Sequence, residues 1–159
     1  DIWRHWIGRA AEWAVADWLM IPRSTEHGTY KKSPDLGKGY ATDVRGCYEN
    51  RANDWHFKVH DRDKSNLAVI FVSVKQRKKE LHCTIHGGNK FGKFKTPDRI
   101  RQMNNRPKYY GVERDDKDIM PIDGWFKWVQ AQKCFQDDRL IYDTEVAKLE
   151  AEGKVMMDA

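Results

Sequence analysis

Long apolar runs are missing from this 159-residue chain. The longest, LAVIFVSV at 67–74, is strand-sized and well short of the ~20 residues a membrane-spanning helix needs. No signal-peptide pattern opens the sequence, which begins at Asp1. Cysteine is scarce: Cys47, Cys83 and Cys134 are widely spaced and odd in number. That argues against a disulfide scaffold and for a reducing compartment, so the cytoplasm is the expected location. Internal repeats and low-complexity segments are also missing. His82 and His86 share a strand face, but no second ligand pair follows at zinc-site spacing. The GKG turn at 37–39 lacks the spacing of a phosphate-binding Walker loop. A Cys–His nucleophile pair stays open, without a local signature to support it.

What is present is one polar, globular domain's worth of chain, with 40% hydrophobic and 33% charged residues. The net charge of +5 is unevenly spread. Residues 75–108 hold 11 Lys and Arg against 2 acids, a local +9. Residues 109–159 hold 7 basic and 12 acidic residues, a local −5. A basic tract of that density is the footprint of a phosphate-backbone binder, and equally that of a solvated loop.

The patterning predicts α/β structure. Trp3, Ile7, Ala10, Ala14 and Trp18 recur at helical spacing, giving a helix over 2–20 that Pro22 ends. Gly8 and Glu12 fall on its less apolar side, where Gly8 permits close approach of another backbone. Glu12 is then either a surface residue or a buried acid with a task. Strand-like pieces follow at 35–37, 40–47 and 54–60, the last with Trp55, Phe57 and Val59 on one face. The 67–74 run reads as a central strand buried on both faces. A further strand over 80–88 precedes a short helix over 96–105 with Thr96 as its cap and Pro97 at its first position. A late strand over 108–112 and helices over 122–135 and 143–155 complete the chain. The division expected is a domain over 1–135 and a helical tail over 136–159. The tryptophans default to core packing; Trp55, Trp125, Tyr109 and Tyr110 are candidates to stack on bases, with a buried role as the equal alternative.

The stretch SPDLGKGYATDVRG, 33–46, sets Asp35 and Asp43 close together across a Gly-Lys-Gly turn. Turn chemistry alone accounts for both: Asp35 opens a turn after proline, and Asp43 faces water on an edge strand. A second account is chemical. Carboxylates repel one another unless a cation sits between them. A cation held by Asp35, Asp43 and Glu12 would polarise a phosphate oxygen and acidify an attacking water. Arg45, two residues beyond Asp43 on the same strand face, would neutralise charge growing on phosphorane oxygens.

The order GRAAEWAVADWL, PDLGKGYATDVR, LAVIFVSV resembles the PD-(D/E)XK nuclease superfamily, and within it a group of small phage and prokaryotic proteins. The matching features are Gly8 to Glu12, Pro34 to Gly37, Val44-Arg45, Val69 to Val74 and His86-Gly87, with KYYGV…IMPIDGWFKW similar to that group's closing strand and helix. The resemblance covers roughly residues 8–128. It implies a restriction-endonuclease-like fold, with the N-terminal helix packed on a mixed sheet of about five strands and helices at the C-terminus. It implies Glu12 as the helix acid, Asp35 as the main metal ligand and Asp43 as the second. Mg²⁺ is the implied ion, with Mn²⁺ as its substitute. Arg45 stands where the superfamily usually has lysine; arginine stays charged and only orients or stabilises, so Lys58 on the next strand is the candidate replacement.

The function this implies is Mg²⁺-dependent hydrolysis of phosphodiester bonds in DNA, with RNA as the other polymer, in the host cytoplasm if the chain is phage-encoded. Lys75, Arg77, Lys78, Lys79, Lys90, Lys93, Lys95, Arg99 and Arg101 would hold the nucleic-acid backbone. Two rivals use the same fold: a nucleic-acid-binding module without catalysis, and a protein-binding adaptor that inhibits a nucleic-acid enzyme.

Overall fold

The structure, a computed structural model, describes residues 2–23, 35 and 42–122. The expected helices over 122–135 and 143–155 and the expected boundary at 135/136 lie outside those residues, Ile122 apart.

Helix α1 spans Ile2–Leu19 and is rich in alanine, the strongest helix former. It ends one turn before Pro22 in a left-handed cap. Met20 takes φ 57°, its amide reaches Asp17 O, and the Ile21 amide reaches Ala16 O. Strands β1 (Thr42–Tyr48), β3 (Ala68–Arg77) and β4 (Glu80–Lys90) form one sheet in the order β1-β3-β4. In it β1 runs parallel to β3, and β4 runs antiparallel to β3. Strands β2 (Phe57–Val59), β5 (Ile100–Arg101) and β6 (Tyr109–Val112) form a second, antiparallel sheet in the order β2-β6-β5.

The β-branched run of β3 lies where its composition places it, in the centre. Ala68, Ile70, Val72 and Val74 face α1 and pack on Ile7, Ala11 and Val15. Val69 and Phe71 face the second sheet and pack on Trp55, Phe57, Val59, Phe91, Phe94 and Val112. Every residue of β3 from Ala68 to Val74 is buried, and complete burial of a side chain such as Phe71 contributes about 1.5–3 kcal/mol.

Five sequence expectations change. The five-stranded sheet is two three-stranded sheets among the described residues, because the face of β3 bearing Val69 and Phe71 is covered by β2 and β6 instead of being extended sideways. The face of α1 turned to the sheet is Ile7, Ala11, Val15 and Ala16, while Trp18 is 45% exposed. The close approach is made at Gly46, not Gly8. A Cβ on Gly46 would sit 3.0 Å from Ala11 Cβ and 3.2 Å from Ile7 O, whereas one on Gly8 meets nothing within 4 Å. The expected helix over 96–105 is a single 3₁₀ turn, Pro97–Arg99, that runs straight into β5. Thr96 precedes that turn without a side-chain cap and instead accepts from the Arg99 guanidinium through Oγ1 at 2.8 Å. Among the described residues no helix is long and apolar enough to cross a membrane.

Candidate metal and nucleic-acid site

Asp35 and Asp43 meet at the N-terminal end of β1. The Asp35 amide donates to Asp43 Oδ1 at 3.2 Å, and the Val44 amide donates to Asp35 Oδ2 at 2.8 Å. Each carboxylate thus gives one oxygen to backbone near the other, and both are half-buried. Both are hard oxygen donors, and Mg²⁺ is commonly held by one or two carboxylates together with waters and substrate phosphates. The donor set therefore fits Mg²⁺, and Mn²⁺ on the same grounds.

Arg45 follows on the same face of β1, which is turned towards the second sheet. Its guanidinium lies 2.5 Å from Asp63 Oδ1 and 5.1 Å from the centroid of Phe91. Asp63 is itself fixed: its other oxygen accepts from the His60 amide at 2.8 Å, and Lys95 Nζ binds the Asp63 carbonyl and, at 3.1 Å, that of Asp61. Lys95, expected on the nucleic-acid backbone, thus ties down the loop that holds Arg45.

Glu12 sits on α1, against the opposite face of the sheet from Asp43 and Arg45, with Oε2 3.7 Å from Arg9. Among the described residues no three of His, Cys, Asp and Glu gather as a metal-holding group. Lys58 alternates with buried Phe57 and Val59 and therefore points outward from the second sheet, its ammonium 5.0 Å from the Tyr109 ring. The structure does not bring it to the acid pair.

The basic residues divide into two groups. Arg99 is 7% exposed and holds both Asp116 at 2.8 Å and Asp118 at 2.7 Å. Those hydrogen bonds raise the Arg99 pKa. Burial pushes the Asp116 carboxyl up, but the hydrogen bonds from Arg99 and the Asp118 amide together outweigh it and hold the group below its ordinary value. Arg101 pairs with Glu113 and approaches His56 Nδ1 at 3.3 Å. In contrast, Lys75, Arg77, Lys78, Lys79 and Lys93 are exposed, Lys90 is half-buried, and none is in an ion pair among the described residues.

One polar cluster has no counterpart in the sequence patterns. Ser73, 1% exposed on β3, donates from Oγ to Glu49 Oε1 at 2.8 Å and lies 2.8 Å from His86 Nε2. With its single hydrogen on Glu49, the hydroxyl takes the imidazole N–H as acceptor. The serine stands between acid and imidazole, which is not the order of a nucleophilic triad. His86 reaches Ser73 because the register of β3 and β4 shifts between Phe71 and Val72; His86 is the extra residue there, followed by Gly87 at φ 114°. Burial pushes the Cys47 and Cys83 thiols up, which disfavours the thiolate a nucleophile needs. Compared with protein-family models, curated proteins and solved structures, the chain matches none of them.

Proposed function

We propose that this chain is a metal-dependent nuclease that hydrolyses phosphodiester bonds in DNA, on a restriction-endonuclease-like fold. The observation that carries the reading is the meeting of Asp35 and Asp43 at the start of β1, with Arg45 two residues on along the same face. Asp35 and Asp43 would hold Mg²⁺, which supplies Lewis-acid polarisation of a phosphate oxygen and a more acidic water when bound. Arg45 offers a fixed positive charge to the phosphate oxygens as negative charge grows on them. Lys75, Arg77, Lys78, Lys79, Lys90 and Lys93 steer and hold the polyanion without reading its sequence. Arg99 and Arg101 act on the protein itself, by fixing the segment around Asp116 and Glu113.

A second reading rests on Arg45. An arginine in the usual lysine position, already engaged by Asp63 and lying over Phe91, favours a nucleic-acid-binding module without catalysis. Incubation of labelled single- and double-stranded DNA, and RNA, with Mg²⁺, Mn²⁺ or EDTA separates the two. Cutting that needs metal supports the nuclease. Salt-sensitive binding with no cutting in either metal supports the binding module.

A further inference from the structure

The end of β1 remote from the acid pair opens on a groove of about 460 Å³. Its lining is chemically mixed in a particular way. Arg51, Lys75 and Lys78 bring three positive charges, all on exposed residues and in no ion pair among those described. The acid in the lining, Glu49, has Oε1 drawn inward to Ser73. Tyr48 presents an aromatic residue at 38% exposure beside these cations. Trp55 also lines the groove: it is 7% exposed, edge-on to Phe57, with the Arg114 guanidinium 5.5 Å from its ring. The β3–β4 turn that carries Lys78 is held, with Lys78 at φ 56° and its carbonyl accepting from Gln76 Nε2 at 3.2 Å.

Cations beside an exposed aromatic ring are what a nucleotide needs: phosphate on the charges, base on the ring. We propose that this groove binds a nucleotide unit of single-stranded nucleic acid, with phosphate on Arg51, Lys75 and Lys78 and a base stacked on Tyr48. Tyr48 lies five residues along β1 from Asp43, roughly 17 Å at the rise of a strand. The groove is therefore a second station on the same strand of the sheet, separate from the acids. Its choice of nucleic acid over another polyanion rests on the nuclease reading, while its geometry uses neither Asp35 nor Asp43.

The test is fluorescence anisotropy of a labelled oligothymidylate, titrated with the full chain in EDTA so that metal plays no part. Tyr48→Ala weakens binding roughly 5- to 150-fold, the range for removing one base stack, and Tyr48→Phe retains it. Lys75→Gln together with Lys78→Gln lowers the slope of log affinity against log salt by about 1.4, as two fewer neutralised phosphates on a single strand require. Wild-type binding in Tyr48→Ala overturns the proposal, and equal thermal midpoints for the two proteins show that any loss of binding is not a loss of fold. Binding that polyglutamate displaces equally well, whether or not Tyr48 is present, overturns it in favour of an acidic protein partner. Loss of binding in these variants without cleavage by the wild type sinks the nuclease reading and leaves the groove standing. Metal-dependent cleavage with no effect of Tyr48 on binding does the reverse.

Discussion

The Asp35 amide donates to Oδ1 of Asp43 at 3.2 Å, closing a clasp across eight residues that puts two carboxylates at one end of β1. A divalent ion would relieve their mutual repulsion. Mg²⁺ or Mn²⁺ should therefore raise the thermal midpoint: at a hundred times the dissociation constant the stabilisation is about 2.7 kcal/mol, roughly 5–10 °C for a chain this size. Asp43→Asn should abolish that rise while changing the metal-free midpoint little. Equal midpoints for the wild type in metal and in EDTA would contradict the assignment.

Arg45 should matter for rate more than for affinity. Arg45→Ala is expected to lower the cleavage rate about 10²–10³-fold, the usual cost of removing one charge-stabilising donor, with DNA binding weakened far less. Arg45→Lys should recover part of the rate, because it restores the cation without the planar fork that grips Asp63. Rate and affinity measured on the same preparations decide it; a parallel loss of both would make Arg45 a binding residue only.

Arg99 and Lys93 should separate cleanly although both belong to the basic tract. Arg99→Ala leaves the half-buried Asp116 without its guanidinium and should cost about 3 kcal/mol in urea unfolding. Lys93→Ala should leave stability within about 0.5 kcal/mol. It should still flatten the salt dependence of duplex binding by about 0.9, the change expected when one phosphate fewer is neutralised. An Arg99 variant as stable as wild type would remove its structural role.

Stability should also rise with pH through the histidine range. Burial, the largest cause in each case, lowers the pKa of His56, His60 and His86 from 6.5. The folded state thus favours neutral rings, and the unfolded chain binds more protons just below pH 6.5. The stabilisation is complete above that pH and is lost as pH falls towards the depressed folded values. Urea midpoints measured from pH 5 to 7.5 should climb, and His86→Gln should shallow the climb by removing one of the three rings. A flat profile for the wild type would mean these rings are not held neutral.

Some of this was legible in the sequence, and the rest was hidden for identifiable reasons. The run at 67–74 announced a strand buried on both faces because β-branched residues crowd it without alternation. The order of Pro34-Asp35 and Asp43-Val44-Arg45 marked the acids in advance, and the clasp between them is local enough for spacing to suggest it. The two sheets were not legible: β2 has three residues and β5 two, too short to show a period, and their pairing with β6 is a tertiary choice. The tryptophans misdirected the helix face, since bulk hydrophobicity favoured Trp18 while the sheet required a small residue, Ala11, opposite Gly46. Arg99 looked like its basic neighbours because the acids that bind it lie 17 and 19 residues further on. His86 is aimed at Ser73 by a bulge, and the Gly87-Gly88 pair is its one local trace in the sequence.

Metal-dependent cleavage at Asp35 and Asp43 is best tested by the single-turnover cleavage rate of a labelled DNA in Mg²⁺. The wild type, Asp35→Asn and Asp43→Asn are compared, with DNA affinity measured in parallel. The wild type should cut, and EDTA should stop it. Each variant should lose at least about 10²-fold in rate with affinity nearly unchanged. Cutting that persists undiminished in both variants, or a wild type that binds DNA and never cuts it, would refute the assignment.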